Sequence, residues 1–136
     1  MITGIMIGGK EYPMSFSVGA QKAIIKEFGG LENLMNILMD QQDERSADAM
    51  IKSVAILTAQ GCAYKNYFEK DLPTPQNAPV VDGKWVPPTE EEIEVGMPYG
   101  KDTMLDIAAC IGGGSKQQIE AEIKNDKEKN QEATQG

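Results

Sequence analysis

Residues 46–68 carry the longest uninterrupted helical pattern in the chain, and any fold has to be built around it. Met50, Val54, Leu57, Gly61, Tyr64 and Phe68 recur at spacings of three and four, which places them on one stripe of an amphipathic helix. Ser46, just ahead of Ala47, is read as its N-cap. A helix of this length gains little stability by itself and depends on tertiary cover for its apolar face. The rest of the sequence must provide that cover.

The N-terminal stretch offers a β-hairpin. Ile2, Ile5 and Ile7 form an apolar run, Gly8-Gly9 with Lys10 makes a turn, and Tyr12, Met14, Phe16 and Val18 alternate with polar or small residues, the period-two pattern of a half-buried strand. Pro13 cannot donate to a ladder, so its arm is expected at an edge. From Gly19 the period changes to that of a helix, with Ala20, Ala23, Ile24 and Phe28 on one face and Gly29-Gly30 as the stop. Leu31, Leu34, Met35 and Leu38 predict a second short helix.

Residues 72–88 contain five prolines, at 73, 75, 79, 87 and 88, around Val80-Val81-Asp82-Gly83-Lys84-Trp85-Val86. An Asp-Gly pair between β-prone arms predicts a short hairpin at the tip of a proline-rich loop. Thr89 and Glu92 have the spacing of a capping box, opening a short acidic helix through about Val95. A last core helix is expected over about Lys101–Ile111, with Met104, Leu105, Ala108 and Ile111 on one face and Gly112-Gly113-Gly114 ending it. Beyond Lys116 only Ile119 and Ile123 are large and apolar, too few to offset the entropy of ordering that segment without a partner. The reading is a mainly α (α+β) domain over 1–115 with an N-terminal β-hairpin, followed by a flexible polar segment over 116–136.

Composition narrows the function. Histidine is absent from all 136 residues, which removes the commonest general base, the commonest metal ligand and every Ser-His or Cys-His nucleophile pair. A net charge of −8 disfavours phosphate backbones and anionic lipid, so neither nucleic acid nor membrane is expected as a partner. Cys62 and Cys110 form no CxxC pair and sit in apolar helical contexts, reading as buried small hydrophobes. No stretch of about 18 apolar residues and no basic-then-apolar start suggests a membrane span or a signal peptide; a cytosolic setting is expected.

Gly112-Gly113-Gly114-Ser115-Lys116 lacks the spacing of a phosphate-binding loop and follows a helix instead of opening one. Glu90, Glu91, Glu92 and Glu94 are explained by the dipole at a helix start, and no calcium-loop spacing is present. No catalytic, cofactor-binding or metal-ligating residues are assigned; the chain reads as a binding module and not an enzyme. Eight methionines are suited to adaptable apolar recognition. The residues expected to be exposed to a partner are Met35, Met39, Tyr64, Tyr67 and Trp85, with Trp85 serving either to pin its loop or to anchor a partner.

The stretch Ile7-Gly8-Gly9-Lys10-Glu11-Tyr12-Pro13-Met14 through Phe16, then Val18-Gly19-Ala20 and Glu27-Phe28-Gly29-Gly30-Leu31-Glu32-Asn33-Leu34, resembles the opening of tail assembly chaperones of long-tailed bacteriophages and prophages of Gram-positive bacteria. Leu57-Thr58-Ala59-Gln60-Gly61 and the run Glu128-Lys129-Asn130-Gln131-Glu132-Ala133-Thr134-Gln135-Gly136 are similar to that family as well. The 72–88 loop falls outside the resemblance. The resemblance implies a protein of the host cytoplasm, missing from the mature virion, that keeps the long tape measure protein soluble until tail tube subunits polymerise around it. The tail tube protein and further copies of the chain are additional partners on this view. It also implies a second, longer product made by ribosomal frameshifting, and Glu128-Lys129-Asn130 permits the slippery codons GAA AAA AAC. The competing expectations are a structural head–tail connector or completion protein and, more distantly, an acidic DNA mimic.

Overall fold

The structure, a computed structural model, describes residues 2–113; the polar segment expected over 116–136 lies outside them. The fold is α+β and mainly helical. Strands β1 (Ile2–Ile7) and β2 (Lys10–Ser15) form an antiparallel hairpin, followed by helices α1 (Val18–Phe28), α2 (Leu31–Met39) and α3 (Ser46–Phe68). The two-residue strands β3 (Val80–Val81) and β4 (Lys84–Trp85) make a second hairpin, and α4 (Glu90–Gly96) and α5 (Lys101–Ile111) complete the described chain.

The first hairpin closes through Gly8 and Gly9, both at positive φ (57° and 85°), the two-residue turn whose twist matches paired strands. Ile7 pairs with Lys10 and Ile5 with Tyr12, so Ile5, Ile7, Tyr12 and Met14 share the face that is buried. The second arm is shorter than its alternation suggested. The chain turns at Phe16, and Ser17 caps α1 by accepting from the Ala20 N–H at 3.1 Å. Val18 therefore opens a helix and is exposed instead of extending the strand.

Helix α3 is the spine. Ala49, Met50, Ser53, Val54, Leu57, Thr58, Gly61 and Cys62 form its buried stripe, recurring at three and four residues as an amphipathic face does. The two hydroxyls in this stripe are satisfied within the helix, Ser53 donating to the Met50 carbonyl at 3.0 Å and Thr58 to Val54 at 2.6 Å. The N-cap is Arg45, not Ser46, which is already helical and buried. Asp43 organises the entry instead, accepting from the Arg45 backbone N–H at 2.9 Å and from its guanidinium.

The free edge of β2 lies against α3. Glu11 donates its N–H outward to the Asn77 carbonyl at 3.0 Å. By the alternation of an antiparallel ladder, position 13 faces the same outer side. Pro13 has no N–H to leave unpaired there, and the helix reaches it at Gly61, where an added Cβ would fall inside van der Waals contact with the Pro13 carbonyl and 2.8 Å from the Met14 nitrogen. This near-contact of backbones is what lets a two-stranded hairpin, marginal alone, become part of one core.

The shorter helices complete the cover. α2 buries Leu34, Ile37 and Leu38, and α4 contributes Ile93. α4 opens with the expected capping box: Glu92 N–H donates to Thr89 Oγ1 at 3.1 Å and Thr89 N–H to Glu92 Oε1 at 3.0 Å. Its C-terminal end seats on the hairpin turn, where the Gly96 carbonyl accepts from Gly8 at 3.2 Å. In α5 the buried set is Thr103, Met104, Ile107, Cys110 and Ile111, and Leu105 is exposed. Of the expected face Met104 and Ile111 are buried, and Ile107 and Cys110 take the inward places expected of Leu105 and Ala108; Thr103 on the same face satisfies its hydroxyl at the Pro98 carbonyl, 2.8 Å away.

Candidate partner-binding surface

The buried stripe of α3 outlasts the core beneath it. Tyr64, Tyr67 and Phe68 lie on the last two turns and are 41%, 77% and 74% exposed, and Leu72 beyond the helix end is 58% exposed. Tyr64 and Phe68 are one helical turn apart, with ring centroids at 5.2 Å, and Tyr67 stands 6.3 Å from Phe68. With Phe68 between the two tyrosine rings, the three side chains make a contiguous exposed aromatic surface on one helix end. Such rings supply large rigid contact area at low entropic cost.

Of the residues expected to meet a partner, Tyr64 and Tyr67 belong to this patch. Met39, 58% exposed at the end of α2, stands on a different element. Met35 does not present a free surface: it is partly buried against the core, since Leu34 and Leu38 point α2 inward and Met35 lies on the flank of that face. Phe68 and Leu72 were missed as surface residues. Their spacing matches the core stripe, and nothing local in the sequence marks where cover ends.

Trp85 is partly buried and tied to α3. The Asn66 side chain donates to the Trp85 carbonyl at 3.0 Å and accepts from its N–H at 2.9 Å, imitating a strand partner. Lys65 Nζ sits 5.5 Å from the centre of the indole ring, a cation–π arrangement, and also pairs with Glu69. Asp82 and Gly83 at the tip both have positive φ, 52° and 79°, as the expected Asp-Gly turn requires. Trp85 thus holds the loop against the helix. Asn66→Ala removes both hydrogen bonds at a cost of about 2 kcal/mol. The expected result is faster amide exchange over residues 80–86 and a red shift of the single tryptophan's emission, and unchanged values would show that the loop is held some other way.

Beside this pin a groove of about 250 Å³ runs between β2 and the loop, lined by Glu11, Pro13, Lys65, Asn77 and Trp85 among others. Its charged groups are one carboxylate, Glu11, and one ammonium group, Lys65. Both cysteines are free and buried. Burial raises the Cys62 thiol to about 11, and burial likewise raises Cys110 despite the Thr3 side chain and Phe16 backbone beside it. Thiolate is the reactive form. At pH 8 neither cysteine should react with a disulfide reagent until denaturant is added, when both should; rapid labelling of the folded chain would contradict this burial.

Among the described residues no group of three or more His, Cys, Asp or Glu side chains is placed to hold a metal ion. Within the same residues no helix is long and apolar enough to cross a membrane. Glu92, one of the clustered glutamates, is committed to the capping box, and its carboxyl is held below the usual range first by the Thr89 backbone N–H and then by the Thr89 side chain. No protein-family model matches the chain, and the searches of curated proteins and of solved structures likewise return no match.

Proposed function

We propose that the chain is a non-enzymatic assembly chaperone of a tailed bacteriophage, which binds apolar helical segments of the tape measure protein in the host cytoplasm and keeps them soluble until tail tube subunits assemble around them. The observation that carries this reading is the contiguous exposed surface of Tyr64, Tyr67 and Phe68 on an otherwise well-packed domain. Exposed aromatic patches of this kind are characteristic of protein interaction sites. A helical chain with repeated apolar faces is a fitting occupant, and the net charge of −8 would keep the resulting complex dispersed. The resemblance of residues 7–34 to tail assembly chaperones supports the choice of partner, and a frameshifted longer form and contact with the tail tube protein belong to the same proposal.

The test is co-expression with the tape measure protein of the same phage genome. The expected outcome is a soluble partner that co-purifies with this chain at fixed stoichiometry, with this chain missing from purified virions. An insoluble, unbound partner together with this chain in the virion would overturn the proposal in favour of a head–tail connector.

A further inference from the structure

The first hairpin keeps one edge open. β2 is covered on its outer side, where the Glu11 N–H donates to the Asn77 carbonyl and α3 reaches Pro13. Directly opposed residues of an antiparallel ladder turn their backbone groups either toward each other or both outward. Met6 opposes Glu11 and Gly4 opposes Pro13. The N–H and C=O groups of Gly4 and Met6 therefore point away from β2, and among the described residues none of them has a backbone partner. Gly4 is exposed and Met6 is 49% exposed, so an incoming chain can reach both. Natural edges are commonly blunted by lysine, proline or a bulge. β1 contains neither residue, and its register with β2 is unbroken.

A groove of about 240 Å³ runs along this edge, lined by Gly4, Met6, Glu11, Asp102 and Asp106 among others. α5 passes the strand in the opposite sense: Gly96, ahead of it, accepts from the Gly8 N–H, and Cys110 in its last turn lies beside the Thr3 side chain. Asp102 and Asp106 are one helical turn apart, about 6 Å along the axis, close to the ~6.6 Å between alternate residues of a strand. Glu11 reaches the same place from β2, its carboxylate lying where a Cβ on Gly4 would stand. Among the described residues no basic side chain lines the groove.

We infer that the β1 edge takes up an extended basic segment of a partner protein, which adds to the hairpin as a third strand. Its backbone bonds to Gly4 and Met6 supply affinity, and lysine or arginine at alternate positions meets Asp102 and Asp106, as main chain and side chains share the task in other strand additions. Charge selects this occupant over a second copy. Pairing β1 with the same strand of another copy would bring two sets of Glu11, Asp102 and Asp106 together, and like charges so juxtaposed oppose association. No residue of the Tyr64–Tyr67–Phe68 surface lines the groove, so the two surfaces can be tested one at a time.

The experiment titrates the isotope-labelled full chain with a capped hexapeptide of alternating valine and lysine, and with its valine–glutamate counterpart. The lysine peptide is expected to give saturable amide shifts at residues 3–7 and 102–106, and the glutamate peptide none. Asp102→Asn/Asp106→Asn should weaken binding about fivefold at low salt, the effect of losing two exposed ion pairs. Met6→Pro deletes an outward N–H without touching the ladder to β2 and should abolish the shifts. Lysine peptides N-methylated on all valines or on all lysines block one strand edge each, and at least one of them should fail to bind the unaltered chain. Absence of saturable shifts at 3–7, equal shifts with the glutamate peptide, unchanged affinity in the aspartate variant, or undiminished binding of both methylated peptides each overturns the inference. Shifts at 3–7 that grow with protein concentration when no peptide is added overturn it by identifying a second copy as the occupant.

Discussion

Gly61→Ala is expected to lower the melting temperature by about 10 °C, even though alanine is the better helix former. In an exposed helix the exchange would gain up to about 1 kcal/mol. Here the new methyl group would stand inside contact distance of the Pro13 carbonyl and 2.8 Å from the Met14 nitrogen. Both obstacles are backbone, and the strand that carries them is locked on its other side to β1 by the Pro13–Gly4 and Met14–Thr3 register. No side chain can swing away, so helix and hairpin must separate. Overpacking a core typically costs about 1–3 kcal/mol and more where nothing yields; with two backbone obstacles the cost should sit at or just above the top of that range, about 3–4 kcal/mol, which less the propensity gain leaves a net loss of about 2–3 kcal/mol, a large share of a domain's ~5–15 kcal/mol. Thermal unfolding followed by circular dichroism measures it, and an unchanged melting temperature would mean that α3 and β2 do not meet at this point. Pro13→Ala provides a companion test. It places an N–H where the helix excludes a partner, and should cost about 1–3 kcal/mol through an unsatisfied donor.

The second large effect concerns binding and leaves stability nearly untouched. Tyr64→Ser/Tyr67→Ser/Phe68→Ser removes the aromatic surface while touching no fully buried side chain. Folding free energy should therefore change by no more than about 1 kcal/mol, as for substitutions at exposed positions. If the patch is the interface, aromatic anchors lost from its centre weaken association by at least about 2 kcal/mol. Retention of the co-expressed tape measure protein should then fall by more than about 30-fold. Met39→Ser, on α2, is the control for a generally sticky surface. Loss of the partner with Met39→Ser, and retention with the triple variant, would place the interface on the α2 end instead. Full retention by both would remove the patch from the proposed function.

Local chemistry made much of this fold legible in the sequence. Gly8-Gly9 and Asp82-Gly83 sit at positive φ because two-residue hairpins require it, and the flanking alternation sets their register. Thr89 and Glu92 cap α4 through atoms three residues apart. The periods of α1, α2 and α3 identify helices, since spacing along a helix is fixed by backbone geometry. Each of these features is decided within a few residues, and a sequence read in order contains all that is needed.

Long-range packing decided the remainder. Gly61 reads in the sequence as one more position of an apolar stripe; only the seating of Pro13 on α3 makes it a point of backbone contact. The inward face of α5 takes Ile107 in place of Leu105, a choice made by the elements that pack on it and not by its own period. Met35 and Phe68 exchanged their expected surroundings for the same kind of reason. Helical period says which residues share a face, but how far along that face other elements extend is set by where they end in space. The sequence by itself determined the hairpins, the caps and the helical faces. Where the stripe of α3 leaves the core and becomes the exposed surface of Tyr64, Tyr67 and Phe68 was decided by the tertiary structure, because cover depends on residues distant in the chain.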